Sequence, residues 1–397
     1  MIETTITALG QHGEGAADVN GHRVFVPFTL PGERVGIDTD NARGQLVELI
    51  EPSPDRVEPF CPYFGTCGGC ALQHAGSETY AGFKRGLVEA ALSHAGIEMA
   101  IAPLVDARGD GRRRATLHVR KDGAGYMRAR SHDVLDIDSC PILVPMLRKA
   151  APRIARALYP IAGDCDVHFT ASETGIDLSV RSERKLKPVP LAAFARQHRL
   201  ARLTFNGDSL YMAQPPMVSM GRSPVELPPA SFLQATSLAE EELARLVLAG
   251  IGEARKVADL FSGLGPFALR IATQARVMAA DSDKLAIAAL AKAAHHTQGL
   301  KPLEARVRDL IRDPLAPVEL EAFDAVVFDP PRAGAQAQAH ELARSRVKTV
   351  VAVSCEPKSF ARDAAILLAG GYRLMQLTPV DQFAYAPHVE LVGVFRR

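Results

Sequence analysis

The stretch VADLFSGLGPFALRIA, residues 257–272, decides the fold of the carboxyl-terminal part of the chain. Its apolar start predicts a buried strand that ends at Asp259–Phe261; Gly263 and Gly265 lie in the loop that follows, and helical spacing comes next. Glycines allow the backbone to approach a ligand at the amino end of a helix. A G-x-G loop alone fits a nicotinamide dinucleotide and S-adenosylmethionine (SAM) equally, and a tight turn without a ligand is a further alternative.

Strands and helices alternate around this stretch, from about residue 230 onwards. Each helical segment follows a short apolar run, and these runs lie at 256–261, 276–281, 304–309, 324–329 and 348–354. The alternation predicts a doubly wound parallel sheet. Asp281 ends the second run, where a carboxylate can hold both ribose hydroxyls of a nucleotide, whereas Asp283 fits a helix N-cap better. The last run, HVELVGVF at 388–395, predicts an edge strand.

The rest of the chain divides into two further regions. Residues 1–56 contain short alternating stretches broken by glycines, which predict a small β-barrel. Residues 57–225 mix short strands with helical segments, one of them at 78–94, and indicate an α+β domain. Residues 226–397 hold the doubly wound sheet, so the chain is predicted to be a multidomain α/β protein.

Composition and charge limit the class of protein. The chain has 397 residues, 47% of them hydrophobic and 23% charged, which predicts a soluble globular protein of two or three domains. It has no 18-residue apolar run and no signal peptide, so we expect a cytoplasmic protein without a membrane partner, and a monomer by default. Residues 101–222 carry a net charge of +8, which indicates a polyanionic partner or a solvated charged face. Residues 1–57 carry a net charge of −5, which argues against nonspecific phosphate binding by that segment.

Two more strand ends carry chemistry. DAVVFDPPRAGA, residues 324–335, contains Asp329-Pro-Pro, a rigid loop that is rare in dehydrogenases and frequent in methyltransferases acting on nucleobases or amide nitrogens. It therefore favours SAM over a nicotinamide. VAVSCEPKSF, residues 351–360, sets Cys355 at the end of a strand, where α/β folds carry their active sites. A cysteine there is either a small buried hydrophobe or a nucleophile.

Together these motifs resemble the RNA 5-methyluridine methyltransferases. DLFSGLG at 259–265, DPPRAG at 329–334, SCEP around Cys355 and PHVE at 387–390 are similar to motifs of that family. The amino-terminal region resembles its TRAM domain, an OB-like RNA-binding barrel. The resemblance covers nearly the whole chain, is closest to the branch that modifies 23S ribosomal RNA, and implies a Rossmann-like SAM methyltransferase sheet.

The resemblance implies roles for individual residues. Cys355 would add to C6 of a flipped-out uracil so that C5 can attack the SAM methyl group, and Glu390 would remove the C5 proton. The implied SAM contacts are Gln234, Phe261, Asp281 and Asp329, together with the loop glycines Gly263 and Gly265. The chain departs from the family pattern at Pro266, Thr236 and Glu356. The last of these would raise the pKa of Cys355 unless its side chain points away.

Four cysteines form a candidate metal site. Cys61, Cys67 and Cys70 lie close together in the sequence, and Cys140 follows about seventy residues later. Four thiolates suit zinc or an iron–sulfur cluster, and the resemblance favours a [4Fe–4S] cluster with a structural role. Cys165 has no motif around it and is interpreted as a core residue.

An arginine run is the candidate RNA contact. Arg112, Arg113 and Arg114 begin a strand, and alternation would send the first and third to one face, where they could hold phosphates or form a solvated edge. Two other functions stay open beside methylation of ribosomal RNA. One is the same reaction on transfer RNA, and the other is an RNA-binding or RNA-folding protein with incidental catalysis.

Overall fold

The first sheet contains six strands near the amino terminus. The computed structural model describes residues 1–184 and 188–397. The strands are β1 (Ile2–Thr5), β2 (Ala8–Leu9), β3 (Gly15–Val19), β4 (His22–Val26), β5 (Arg34–Asp40) and β6 (Arg43–Glu51). They pair in the order β1-β5-β6-β4-β3-β2, almost wholly antiparallel. Alternate apolar residues, including Val24, Val26, Val35 and Ile37, fill a core of their own.

A long helix then connects the first sheet to the last one. The two elements of this region are α1 (Ser77–His94) and β7 (Val105–Asp106). Tyr80, in the first half of α1, packs with Leu30 and Leu72, whereas Val88 and Leu92 of the second half lie in the core of the carboxyl-terminal sheet. The helix therefore contacts two cores that are far apart in sequence.

The central region is a seven-stranded sheet with helices on one face. Its elements are β8 (Arg114–Arg120), β9 (Gly123–Met127), β10 (Val134–Asp136), α2 (Pro145–Arg148), α3 (Ala150–Ala162), β11 (Cys165–Ser172), β12 (Gly175–Arg181), α4 (Pro188–Gln197), β13 (Arg202–Phe205) and β14 (Asp208–Met212). The order is β10-β9-β8-β11-β12-β13-β14, with one parallel pair, β12 and β13. Cys165 is buried in this core, as its interpretation as a core residue requires.

The carboxyl-terminal region is a doubly wound sheet, preceded by a hairpin. Its elements are β15 (Met217–Met220), β16 (Ser223–Glu226), α5 (Ser237–Ile251), β17 (Lys256–Leu260), α6 (Ala268–Ile271), β18 (Arg276–Asp281), α7 (Lys284–His296), β19 (Leu303–Val307), α8 (Pro317–Leu320), β20 (Ala325–Phe328), α9 (Gln336–Arg344), β21 (Thr349–Ser354), α10 (Pro357–Ala369), β22 (Arg373–Asp381) and β23 (Glu390–Arg396). The order is β19-β18-β17-β20-β21-β23-β22-β7.

Both faces of this sheet are covered, which explains why its strands are apolar throughout. In β21, Val351 and Val353 belong to the core on one face, and Val350 and Ala352 to the core on the other. Such continuous apolar strands are typical of parallel sheets between helices. The strand order reverses between β17 and β20, so a ligand crevice is expected at the carboxyl ends of these strands.

The prediction of an edge strand at 388–395 is wrong. β23 lies between β21 and β22 and pairs antiparallel with both. Its residues from Leu391 to Phe395 are buried on both faces, and such a strand needs a neighbour on each side. Because β23 runs against the parallel strands, its first residue, Glu390, lies at the edge where those strands end.

No helix in the described part of the chain is both long enough and apolar enough to cross a membrane.

Candidate active site

The predicted nucleophile and the predicted base come together at the carboxyl edge of the sheet. Cys355 directly follows β21, and Glu390 begins β23. Ser354 pairs with Leu391 in the antiparallel ladder between these strands. Cys355 and Glu390, the next residues in the two strand directions, are therefore neighbours. Cys355 is half-buried and Glu390 is only 3% exposed. A thiol open to a ligand thus lies beside a carboxyl group that is shielded from water.

Burial and like charges control the protonation of this group of residues. Burial, together with the charges of Glu390 and Asp329, raises the pKa of the Cys355 thiol to about 12, and Arg332 opposes that shift. Burial and the charge of Asp329 also raise the pKa of Glu390. Burial raises the pKa of Asp329, and a hydrogen bond from Gln234 opposes this rise. Without a bound cation, the site therefore favours a neutral thiol.

One oxygen of Glu390 is anchored and the other is free. The amide nitrogen of Gln382 donates to Oε1 at 2.7 Å, whereas Oε2 is buried and has no hydrogen-bond partner among residues 1–184 and 188–397. The same nitrogen donates to Oε1 of Gln234 at 2.7 Å, and Gln234 donates in turn to Oδ2 of Asp329 at 3.1 Å. Two glutamines therefore join the two carboxyl groups.

Gln382 was not predicted from the sequence. Its side chain is 1% exposed, and its own oxygen accepts the backbone N–H of Ala235 at 2.6 Å, so all its polar atoms are used. The available signal was the polar pair Asp381-Gln382 at the end of the buried second half of β22. Arg332, in the DPPR segment, was also missed; it is the cation whose charge lowers the pKa of both Cys355 and Glu390.

The glycine loop after β17 has the geometry of a nucleotide site. Oδ2 of Asp281 accepts the backbone N–H of Gly263 at 2.9 Å, which ties the end of β18 to the loop. Phe261, Gly263 and Gly265 all have positive φ angles. A Cβ added to Gly265 would lie 2.3 Å from Cδ1 of Leu290 in α7, so only glycine fits there. The prediction that Asp283 caps a helix is confirmed, because its side chain accepts two N–H groups at the start of α7.

Another carboxyl group lies under this loop. Asp259 is fully buried at the end of β17, and burial with the charges of Asp329 and Asp281 raises its pKa well above the ordinary value. Asp259, Asp281 and Asp329 therefore lie close enough to interact at the point where the strand order reverses. Such a cluster suits a ligand that carries positive charge.

The departures from the family pattern have local explanations. Thr236 caps α5, accepting the N–H of Ala239 at 3.0 Å and donating to the carbonyl of Ala107 at 2.6 Å. Glu356 is the N-cap of α10, so its carboxylate is directed to the helix start, and it is not among the charges that shift Cys355. The carbonyl of Pro266 accepts a hydrogen bond from Arg270 at 2.7 Å.

Comparison with known proteins agrees with this geometry. A family model described as tRNA (Uracil-5-)-methyltransferase matches residues 225–397. An uncharacterized RNA methyltransferase of Brucella suis biovar 1 (strain 1330) is 45% identical over 405 residues, which cover 100% of this chain and 98% of the relative. The chain belongs to this RNA (uracil-5-)-methyltransferase family. The resemblance inferred from the motifs is thereby confirmed, as is the expectation of a SAM-dependent enzyme of this class.

Two further proteins align with nearly the whole of this chain. The 23S rRNA (uracil(1939)-C(5))-methyltransferase RlmD of Dichelobacter nodosus (strain VCS1703A) is 33% identical, over 99% of this chain and 98% of that protein. The crystal structure of the Pyrococcus abyssi tRNA (uracil-54, C5)-methyltransferase with S-adenosyl-L-homocysteine aligns with a TM-score of 0.78 and 24% identity. It covers 99% of this chain and 100% of that one, and it shows the shared fold.

The four cysteines of the methyltransferase line one small cavity. It has a volume of about 50 Å³, and its thiols belong to Cys61, Cys67, Cys70 and Cys140. Burial raises the pKa of Cys70 to about 12 and that of Cys140 to about 11. In the described ranges, no group of three or more His, Cys, Asp or Glu side chains is arranged to hold a metal ion.

The three predicted RNA-binding arginines have different environments. Arg113 is buried and pairs with Glu240 at 2.5 Å, an ion pair that joins the residue before β8 to α5. Arg112 lines the cysteine cavity, with its guanidinium 5.9 Å from the ring of Phe383. Arg114 is half-buried at the start of β8 and lines a separate cavity.

Proposed function

We propose that this enzyme methylates C5 of a uridine in 23S ribosomal RNA. The observation that carries the reaction is the pairing of a partly accessible thiol, Cys355, with a buried carboxyl group, Glu390, that has one unbonded oxygen. The RNA target is supported by the relative RlmD, which matches along nearly the whole chain. The same reaction on transfer RNA is the second candidate, supported by the family model of the catalytic region.

Each proposed step follows from the chemistry of uracil. The sulfur anion of Cys355 forms a bond to C6, and the electrons of the C5–C6 double bond move towards C5 and O4. C5 then has the electron pair with which it would bond to a methyl group supplied by SAM, while the electrons of the broken sulfur–methyl bond would stay on sulfur and leave it as a neutral thioether. Afterwards an oxygen of Glu390 takes the C5 proton, the double bond re-forms, and the bond from C6 to sulfur breaks, which returns the thiolate.

The crevice beside Cys355 fits SAM. Its glycine loop, its ribose-side carboxylate Asp281 and two further carboxyl groups, Asp259 and Asp329, suit a nucleoside that carries positive charge. SAM when bound supplies a methyl group and a sulfonium cation. Positive charge beside Asp329 and Glu390 would offset the charges that raise the pKa of Cys355 and so favour its thiolate. Gln234, Phe261, Gly263 and Gly265 complete the proposed contacts.

Glu390→Gln tests the assignment of the base. The variant keeps the size of the side chain but cannot accept the C5 proton, so we expect addition to proceed and release to stall. Methylated RNA should stay attached to the protein as a slowly migrating band on a denaturing gel. Loss of methylation without such a band would assign the base to another group.

Gene deletion tests the choice of RNA. We expect 5-methyluridine to disappear from one position of 23S ribosomal RNA while transfer RNA keeps its own. Loss from transfer RNA alone would support the second candidate. Unchanged 5-methyluridine in both RNAs would contradict the proposed function.

The cysteine cavity is proposed to hold a [4Fe–4S] cluster through Cys61, Cys67, Cys70 and Cys140. Four thiolates suit either zinc or an iron–sulfur cluster, and the family resemblance favours the cluster. Four thiols around one cavity fit a larger cluster better, because each thiolate then binds a different iron atom. Anaerobic purification should give about four iron atoms and four sulfides per chain; zinc instead would contradict the proposal.

RNA is proposed to lie along the first two regions. The six-stranded sheet with its own core supports a TRAM-like barrel in the first region. In the second, Arg114, His168 and Arg181 line a cavity of about 320 Å³ with no acidic side chain among its described lining residues. Burial and the charges of Arg181 and Arg114 lower the pKa of His168, which indicates a positive potential suited to phosphate.

A salt titration tests this surface. Arg181→Ala should weaken RNA binding and make the slope of log K against log salt less steep by about one. Arg312→Ala, which removes an arginine that is exposed near α8, should leave both unchanged. Equal slopes in the parent enzyme and in both variants would exclude the cavity as a phosphate site.

A further inference from the structure

Residues 382–389, here called the base loop, connect β22 to β23 and lead directly into Glu390. Gln382, the residue that anchors Glu390, begins this loop. Tyr385, in its middle, has a φ of +58°, a left-handed conformation that a non-glycine residue keeps only where its surroundings stabilise it. The conformation of the base loop therefore needs contacts from outside the loop.

Lys84 of α1 provides three of these contacts. Its side chain is 0% exposed, and its Nζ donates to Oδ1 of Asp381 at 2.9 Å and to the carbonyl of Phe383 at 3.1 Å. The third hydrogen bond goes to the carbonyl of His388. An ammonium group has three protons, so each of them is used, and they join the start of the loop to its end.

Tyr80, one turn earlier in α1, holds the middle of the loop. Its hydroxyl donates to Oδ2 of Asp381 at 2.6 Å and accepts the backbone N–H of Tyr385 at 3.0 Å. The carbonyl of Tyr385 accepts the N–H groups of Ala71 and Leu72 at 2.8 and 3.3 Å. Residues some 300 positions away in sequence thus fix the loop from three directions.

We propose that Tyr80 and Lys84 are positioning residues that set Glu390 for removal of the C5 proton. The proposal rests on the proposed function. The free oxygen of Glu390 must meet a proton on a carbon whose position is set by its bond to Cys355. Cys355 itself lies between β21 and α10. Among the described residues, the side chains of Tyr80 and Lys84 form no hydrogen bond with either of these elements. Disturbing the contacts should therefore slow proton removal and spare thiolate addition.

Tyr80→Phe is the direct test, because it removes only the hydroxyl group. We expect single-turnover release of tritium from C5 of a uridine-labelled RNA to fall roughly tenfold or more, since small displacements in a catalytic geometry have large effects. The covalent protein–RNA species should accumulate, while the affinities for SAM and RNA stay those of the parent enzyme. Lys84→Met should show the same pattern more strongly if it folds, and Tyr80→Phe decides the question if it does not.

Tyr372→Phe is the matched control. Tyr372 is also buried, and its hydroxyl donates to the carbonyl of Val347 at 2.8 Å, away from the base loop. It should keep the parental rate and show no covalent species. A parental rate in folded Tyr80→Phe, or an equal slowing of addition and proton removal, would overturn the proposal. Failure of the proposed function would be visible differently, as absence of uracil methylation in the parent enzyme.

Discussion

The two sides of the active-site crevice are built by the chain in different ways. On the proposed SAM side, the glycine loop, Asp281 and Leu290 lie within about thirty residues of one another and form one strand–loop–helix–strand–helix unit. On the proposed uracil side, Glu390 accepts a hydrogen bond from Gln382, and Tyr80 and Lys84 from the first quarter of the chain hydrogen-bond to Asp381 and to the loop that follows it. Local sequence specifies the first side, and tertiary contacts specify the second.

Removing the thiol should have the largest effect, because no other side chain can replace it. Cys355→Ala is expected to lower methylation by more than about a thousandfold while RNA affinity stays nearly unchanged. Cys165→Ala, at a cysteine buried in the central core, should keep its activity and lose only stability. Comparable turnover in the Cys355 variant and the parent would remove covalent catalysis from the account.

Removing the anchor of Glu390 should have the next largest effect. Gln382→Ala deletes hydrogen bonds to Glu390, to Gln234 and from the N–H of Ala235, so we expect turnover to fall roughly tenfold to a hundredfold. The measurement is kcat at saturating SAM. Gln376→Ala, at an exposed glutamine in β22, is the control and should retain the parental value. A Gln382 variant with parental kcat would mean that Glu390 needs no anchor.

The pH profile tests the electrostatic coupling between the two sides. Burial and Asp329 raise the pKa of Glu390 above its ordinary 4.5, so the base stays protonated, and turnover stays low, up to a higher pH. Since the pKa of Glu390 is raised to about 8, the acidic limb of kcat should lie near that pH. Asp329→Asn removes a negative charge, lowers the pKa of Glu390 and should shift the limb to lower pH. A limb near pH 4.5 in the parent, or no shift in the variant, would contradict this coupling.

Alanine at the two loop glycines should have a graded effect on stability. Gly265→Ala forces a Cβ against Leu290 and should lower the free energy of unfolding by about 2 to 4 kcal/mol. Gly263→Ala meets no atom within 4 Å and should cost only about 1 kcal/mol for its positive φ. Thermal melts of the two variants measure the difference, and equal melting temperatures would show that the contact with α7 is unimportant.

The contrast between the two sides also explains what sequence reasoning could predict. Apolar runs followed by helices identified the doubly wound sheet, because both faces of such strands must be buried. The same runs could not give strand order, so β23 was predicted at the edge although it lies inside the sheet. Gln382 and Lys84 escaped notice because a buried glutamine and a buried lysine resemble surface residues until their partners are known.

The most direct test of the account is to trap the enzyme on RNA that carries 5-fluorouridine at the target position. Fluorine at C5 cannot leave as a proton does, so addition and methyl transfer should proceed and the adduct should persist. We predict that peptide mapping by mass spectrometry will find the modified base on the sulfur of Cys355. An enzyme that binds this RNA and SAM but forms no adduct, or forms one through another residue, would contradict the central claim.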